Sequence, residues 1–421
     1  MDGRLATIAW SIVSDVYSQC DTKELLHPRL LTEVTRLTAL NIVLKSQFSS
    51  DDLGFEDSDL AFANLSYEGE RLGISKKNIH DLVKRELESS SVELPAKLHN
   101  LSLNDFVNVL GWIHSLSSYR LPSKLNHGSF QRSLGAYYTP PDLANYIVNL
   151  TMKEELERRV KAISKDGIES FEDFISIHIL DPACGAGVFL ISVSNLLLAT
   201  TLKAIDAARV SGVQQSDIDD VLKSRQPGLY GVDLDLGALE VADLSLRILE
   251  WNVTGSIPSS KIGKTLKRGN SLISFHGLQG VSNHKHFFKN PSRMNAFEWP
   301  REFPEIFSEP DCGFDFVIMN PPYERLKPNL AEFIRERLLS GDREIHTDIY
   351  EDHKRNIRES TNYFRESNEY RLATSYSINT YQLFIERALQ ITQNGGTIGC
   401  IIPSNILGDV SAQRLRANLL Q

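Results

Sequence analysis

The run Asn320-Pro321-Pro322-Tyr323 directly follows the apolar hexapeptide Phe314–Met319. Two consecutive prolines fix the backbone and remove two N–H donors, which leaves carbonyls pointing outward. The Asn320 side-chain oxygen and the Pro321 carbonyl can then accept both hydrogens of a single NH₂ group, and Tyr323 offers a face on which a flat ring can stack. Such a site suits an amino group attached to a planar system. An aromatic amino nitrogen is a poor nucleophile because its lone pair is delocalised into the ring. Two acceptors would draw its N–H bonds toward a tetrahedral arrangement and localise that lone pair.

Three segments upstream have the character of a ligand site. In Asp181-Pro182-Ala183-Cys184-Gly185-Ala186-Gly187, the glycines Gly185 and Gly187 allow a tight turn and close backbone approach to a ligand, and a helix is expected from Val188. Asp181 supplies a carboxylate for an ammonium group. The acidic residue precedes the glycines and no Gly-x-Gly-x-x-Gly follows, which argues against a dinucleotide. Asp233, at the end of Leu229–Asp233, suits two ribose hydroxyls, while Asp235 suits the cap of a helix from about Leu236. The step from Asp181 to Asp233 is longer than the roughly 20 residues of a minimal unit, and the polar stretch Gly212–Gln226 reads as the insertion responsible. Asn270 in Gly269-Asn270-Ser271 either meets the edge of an adenine ring or closes a simple turn. Further upstream, Gly135–Asp142 reads as a helix start with Thr139 as N-cap, Pro140 at the first position and Asp142 at the third. Leu143, Tyr146, Ile147 and Leu150 would form its apolar stripe. The hydroxyls of Tyr137, Tyr138 and Thr139 would reach a ligand carboxylate.

Short apolar strands at Ile175–Leu180, Leu229–Asp233, Thr265–Arg268, Phe314–Met319 and Thr397–Ile402, spaced by amphipathic helices, must position these residues. The pattern predicts an α/β fold with a parallel, Rossmann-like doubly wound sheet, which binds ligands at the C-terminal strand ends. Residues 1–125 read as a mostly helical N-terminal domain, with apolar residues at helical spacing in Leu101–Leu116, either for packing or for partner binding. No acidic residue followed by Glu-x-Lys occurs there, so a metal-dependent nuclease site is not expected. Residues 126–421 read as the catalytic domain, with a charged insert at about 324–372. Its arginines either face solvent or meet phosphates beside the site.

The formal net charge of −9 over 421 residues disfavours gripping a polyanion with the whole surface, so any nucleic-acid contact must be local. The four cysteines, Cys20, Cys184, Cys312 and Cys400, show no metal-ligand spacing and suit a reducing compartment. The N-terminus has no signal-peptide pattern and no apolar run is expected to span a membrane, which predicts a soluble cytoplasmic protein.

Together these segments resemble the gamma-class DNA adenine-N6 methyltransferases of restriction-modification systems, in particular the type IIG enzymes and related phage-defence methylases. The resemblance covers about residues 115–421. Its specific parts are Gly135–Asp142 ahead of Asp181–Gly187, then Phe297-Glu298-Trp299-Pro300 and Glu302–Phe307 leading to Phe314–Tyr323. Asn379–Glu386 follows, with Gly395-Gly396 and Ile402-Pro403-Ser404 after it. The resemblance implies a class I S-adenosylmethionine-dependent fold and adenine N6 of a flipped-out base in double-stranded DNA as acceptor. Asn320, Pro321, Pro322 and Tyr323 would be catalytic. Tyr137, Tyr138 and Thr139 would meet the methionine carboxylate; Asp181, Ala183, Gly185 and Gly187 the amino end; Asp233 the ribose. Asn270 would contact the adenine, where relatives often carry Asp. Phe384 either walls the pocket or belongs to the core. No metal is called for.

Relatives of this kind continue past the fifth strand with two more strands and a target-recognition domain. A separate target-recognition polypeptide is therefore an expected partner beside DNA, and weak sequence-specific binding is expected of this chain alone. Methylation of RNA or of a protein glutamine would use the same chemistry, and a methyltransferase fold without turnover is a further alternative.

Overall fold

The computed structural model describes residues 102–118 and 139–420, apart from 255–257, 281, 309–311, 331–332 and 335–346, together with Ala9 and Ile12. Tyr137 and Tyr138 lie outside the described residues, as do Arg335, Arg337 and Arg343 of the charged insert.

Helix α1 (Leu103–Ser118) precedes α2 (Pro141–Asp166), α3 (Ile168–Ile175), β1 (His178–Asp181), α4 (Val188–Val210) and α5 (Gln215–Ser224). The chain goes on through β2 (Gly228–Asp233), α6 (Leu236–Thr254), β3 (Leu266–Arg268) and β4 (Phe314–Met319). Helices α7 (Thr347–Glu366) and α8 (Thr380–Ile391), strand β5 (Thr392–Cys400) and α9 (Gln413–Leu419) complete it. The five strands are parallel, in the order β3-β2-β1-β4-β5. This is the Rossmann-like doubly wound sheet that the alternation of strands and helices predicts.

Side chains alternate across the sheet with the strand's period of two. Ile179, Phe316 and Ile318 join the core formed with α1 to α6, while Leu180, Val317 and Met319 join the opposite core with Trp299, Tyr363 and α8. Asp315, nearly buried at the N-terminal end of β4, accepts from Arg159 Nη2 at 2.7 Å, the His178 N–H at 2.9 Å and Gln393 Nε2 at 3.0 Å. One carboxylate thereby ties α2 to the leading ends of β1, β4 and β5.

Several expectations are corrected. Ile175 closes α3 and β1 starts only at His178, because Phe171, Phe174 and Ile175 form the buried face of a short amphipathic helix. Strand β5 starts at Thr392, five residues before the expected Thr397, with an irregular register where Gly395 takes a positive φ of 81°. The presumed insertion at Gly212–Gln226 folds into α5, which buries Ile218 and Val221.

The stripe of α2 is mostly wrong: Leu143, Tyr146 and Leu150 are exposed and only Ile147 packs, half-buried, against the core, whereas Ala144, Val148, Met152 and Leu156 are buried. Small and branched residues on that face allow the close approach of α4. Helix α4 itself is long and apolar enough to cross a membrane, with a mean hydropathy of 1.8, contrary to expectation. Its buried face, including Phe189, Ile191, Val193 and Ala204, packs against α2 and the sheet. The charged insert is only partly solvated. Lys354 and Arg355 pair with Glu351 and Asp352 on their own helix, but Tyr363, Phe364 and Tyr370 lie in the core.

Candidate active site

The strand order reverses between β1 and β4, the place where a doubly wound sheet opens a crevice at its C-terminal edge. Asp181 ends β1 on one side, and Asn320 follows β4 on the other.

On the β1 side, Asp181 is 1% exposed. Its Oδ1 accepts the Ala183 N–H at 3.0 Å, while its Oδ2 has no hydrogen-bond partner among the described residues. Burial pushes this carboxyl up to about 8, opposed by the Ala183 N–H and reinforced by the Asp233 charge. Asp233 is likewise raised by burial; its Oδ2 accepts the Gly185 N–H at 2.8 Å and its Oδ1 the Asp235 N–H at 2.8 Å. Each oxygen keeps acceptor capacity for a further donor. Asp233 thus also braces the glycine turn, a second role its position in the sequence does not reveal.

The two glycines of that turn do different work. Gly185 has φ +50° and open space where a Cβ would stand, so its backbone can be approached by a ligand. Gly187, φ +83°, is the N-cap of α4, and a Cβ there would meet Ala242 Cβ of α6 at 2.8 Å. Asp235 caps α6 as expected, accepting from the N–H groups of Gly237 and Ala238, and also meets His114 of α1 at 3.1 Å.

Asn270 forms the turn that was one of its two readings: its Oδ1 accepts the Leu272 N–H at 3.1 Å. The loop is braced from both sides. Ser271 donates to the Pro182 carbonyl at 2.6 Å, and Trp299 Nε1 donates to the Ser271 carbonyl at 3.2 Å. Glu298 accepts from Ser274 Oγ and the Phe275 N–H, both at 2.7 Å, and the Phe297 ring lies over Gly269. The Phe297–Pro300 segment, to which the sequence attached no role, is therefore the platform of the Asn270 loop.

On the β4 side, Thr139 does not cap α2. Pro140 is the N-cap, Pro141 is the first helical residue, and no side chain caps the end. Thr139, 5% exposed, instead accepts from Asn320 Nδ2 at 2.9 Å. Asn320 Oδ1 accepts from the Tyr323 hydroxyl, which also lies 3.0 Å from the Ile401 carbonyl. A hydroxyl has one proton to donate, so Ile401 offers Tyr323 a second acceptor when Asn320 Oδ1 is needed elsewhere. Burial pushes the Tyr323 phenol up to about 12, so it stays a neutral donor. The Pro321 carbonyl accepts no hydrogen bond among the described residues, whereas the Pro322 carbonyl is held by Thr380 Oγ1 at 2.5 Å.

Sequence reasoning passed over Ser271, Thr380 and the Ile401 carbonyl. Ser271 and Thr380 lie within the quoted segments Gly269–Ser271 and Asn379–Glu386 without a role, because no spacing signals a contact 89 or 58 residues away. Phe384, 7% exposed, sits in the core cluster around Tyr381. A separate polar cleft of about 580 Å³, lined by Arg159, His178, Cys312 and Asp315, opens at the opposite, N-terminal pole of the sheet and takes no part in this arrangement.

The Eco57I restriction-modification methylase family matches residues 228–421. A Methanocaldococcus jannaschii protein named for a type II restriction enzyme and methyltransferase is 28% identical over 180 residues, which is 34% of this chain and 15% of that relative. The chain thus corresponds to a minor part of that relative's length. Among solved structures, the DNA-bound ATP-dependent type ISP restriction-modification enzyme LlaBIII is 13% identical with a TM-score of 0.48, covering 100% of this chain and 26% of that one. The DrdV–DNA complex is 14% identical with a TM-score of 0.46, covering 100% of this chain and 36% of that one. The fold assignment rests on the strand order itself. Over residues 228–421 the chain is similar in sequence to the Eco57I restriction-modification methylase family, and its strands form a doubly wound sheet.

Proposed function

We propose that the chain transfers a methyl group from S-adenosylmethionine to adenine N6 of a flipped-out base in double-stranded DNA, within a restriction-modification or phage-defence system. The observation that carries this reading is the pairing across one crevice of two features. One is a buried Asp181 whose Oδ2 has no hydrogen-bond partner among the described residues; the other is an acceptor pair, Asn320 Oδ1 and the Pro321 carbonyl.

The residues present fit the cofactor. The buried Asp181 and half-buried Asp233 carboxylates, with no cation among their hydrogen-bond partners in the described residues, suit a ligand with a cationic end and a pair of hydroxyls. Asp181 would take the ammonium, Asp233 the ribose, Asn270 the adenine edge, and the open face of Gly185 would admit the ligand's close approach. Thr139, with Tyr137 and Tyr138, is assigned to the carboxylate end. S-adenosylmethionine, when bound, supplies an electrophilic methyl group on a sulfonium centre.

Asn320 Oδ1 and the Pro321 carbonyl would each accept one hydrogen of the target amine, turning its lone pair toward that methyl. Tyr323, released from Asn320 onto the Ile401 carbonyl, would stack on the extruded ring. Positioning and fixed dipoles thus account for the rate, and no residue forms a covalent bond to substrate. Phosphate contacts must be local at a net charge of −9, so we assign sequence recognition to a separate polypeptide or segment. A cytoplasmic setting follows from this role.

The test is transfer of labelled methyl from S-adenosylmethionine to DNA, RNA and protein offered side by side, with product digestion to identify N6-methyladenine. Label in DNA as N6-methyladenine is expected. Label confined to RNA or protein, or on another base, would replace this reading.

A further inference from the structure

We propose that Thr380 is a positioning residue for the acceptor site: its hydroxyl holds the Pro322 carbonyl and the Glu324 N–H, leaving the Pro321 carbonyl as the open backbone acceptor. This rests on reading Asn320–Tyr323 as the site of the target amine.

The proline pair rigidifies only part of the turn. Each ring fixes φ, and Pro322 restricts the ψ of Pro321 before it. No ring restricts ψ of Pro322, which sets the direction of its carbonyl and the path of the chain into Tyr323. Neither proline has an N–H with which to anchor the turn. Thr380 takes over at the bond where the rings give out. Its Oγ1 donates to the Pro322 carbonyl at 2.5 Å and accepts the Glu324 N–H at 2.9 Å; the Glu324 carbonyl lies farther from it, at 3.3 Å. The Thr380 backbone N–H donates to that carbonyl at 2.9 Å, and the Arg325–Asn379 bridge continues the pairing.

Two consequences follow for the site. The Pro322 carbonyl is withdrawn from competition for the target amine, so that amine meets only Asn320 Oδ1 and Pro321. The chain beyond Pro322 is also held so that Tyr323 returns over Asn320. Thr380 is 7% exposed, a place where valine would fill the same volume; what the threonine adds is the hydroxyl. Helix α8, which buries Leu383, Ile385 and Ala388 in the core, gives the clamp a rigid base.

The experiment compares the full-length wild-type chain with Thr380→Val and Thr380→Ser in two readouts. The first is methyl transfer to DNA at saturating cofactor, alongside the calorimetric cofactor Kd. The second is hydrogen exchange of the peptide containing Glu324. In Thr380→Val, turnover should fall roughly tenfold with the cofactor Kd unchanged, and the Glu324 amide should exchange at least about tenfold faster. Thr380→Ser should match the wild type in both, which a loss due to altered packing would not produce. Wild-type turnover or unchanged Glu324 exchange in Thr380→Val would overturn the proposal, as would Thr380→Ser as impaired as Thr380→Val. If Thr380→Val folds poorly, Thr380→Ala is judged by the same readouts. If the wild type transfers to no DNA, the proposed function fails, and Glu324 exchange still decides the clamp.

Discussion

The side-chain amide of Asn320 donates to the hydroxyl of Thr139 at 2.9 Å, a contact between residues 181 positions apart. Its nitrogen end is thereby engaged and its oxygen end directed to the space shared with Tyr323. Replacing Thr139 with valine should free the amide to rotate and lower turnover by roughly tenfold, the effect of about one hydrogen bond. Thr139→Ser should retain activity. Asn320→Ala, which removes the acceptor itself, should lower turnover by at least about 100-fold while cofactor affinity changes little. Steady-state transfer with calorimetric cofactor binding checks all three variants, and wild-type turnover in Asn320→Ala would refute the two-acceptor arrangement.

Asp181 couples the site to pH. Its carboxyl is raised by burial from 3.8 to about 8, so the folded protein binds this proton more tightly than the unfolded chain does. The resulting stability is full below the unfolded value and is lost as pH rises through the folded one. Thermal melts without cofactor, run from about pH 6 to about pH 8.5, should show Asp181→Asn gaining on the wild type as pH rises. A cationic ligand end requires the ionised carboxylate. Cofactor affinity should therefore tighten over the same range, with proton release measurable by calorimetry in buffers of different ionisation heat. A gap between the two proteins that stays constant with pH would show that Asp181 is ionised throughout.

Tyr323 is expected to act through its ring. Tyr323→Phe removes the bonds to Asn320 Oδ1 and Ile401 but keeps the stacking face, so turnover should stay within about threefold of wild type. Tyr323→Ala should lose about 1–3 kcal/mol of base stacking, seen mainly as weaker productive DNA binding. Equal losses in both variants would assign the hydroxyl a direct role in transfer.

The glycines Gly185 and Gly187 should separate in their effects. Gly187→Ala forces a methyl group to within 2.8 Å of Ala242 Cβ at a positive φ, and should cost on the order of 1–3 kcal/mol in denaturant unfolding. Gly185→Ala meets no neighbour, so its stability cost should be smaller, about 1 kcal/mol from backbone strain alone, with a disproportionate loss of cofactor affinity. If Gly185→Ala bound cofactor as the wild type does, the turn would not be the ligand's approach.

Much of the site was legible because its parts are local. A strand of Phe314–Met319 followed at once by Asn320 places that residue at a strand tip whatever the rest of the chain does, and the fourth strand appears at those bounds. Asp235 as a cap is a contact of two to three residues, so it too could be read directly. Thr139 was misread for the complementary reason. A threonine before two prolines satisfies every local rule for a helix cap, and only the approach of β4 offers it the Asn320 amide in place of the α2 end. The stripe of α2 failed similarly, since Leu143, Tyr146 and Leu150 are at helical spacing but the face toward α4 is chosen by fit, which the smaller Ala144 and Val148 provide.

The sequence by itself determined the alternation of strands and helices, and with it the parallel sheet whose C-terminal edge carries Asp181, Asp233 and Asn320. Hydrophobic periodicity and turn chemistry act over a few residues, so they can be read without the fold. Only the tertiary structure decided which acceptors remain open. That choice depends on hydroxyls brought from far along the chain: Thr139 takes the Asn320 nitrogen, Thr380 takes the Pro322 carbonyl, and the Pro321 carbonyl has no partner among the described residues. A hydrogen bond needs its partners within about 3 Å of each other, and no spacing in the sequence encodes that distance until the sheet brings the segments together.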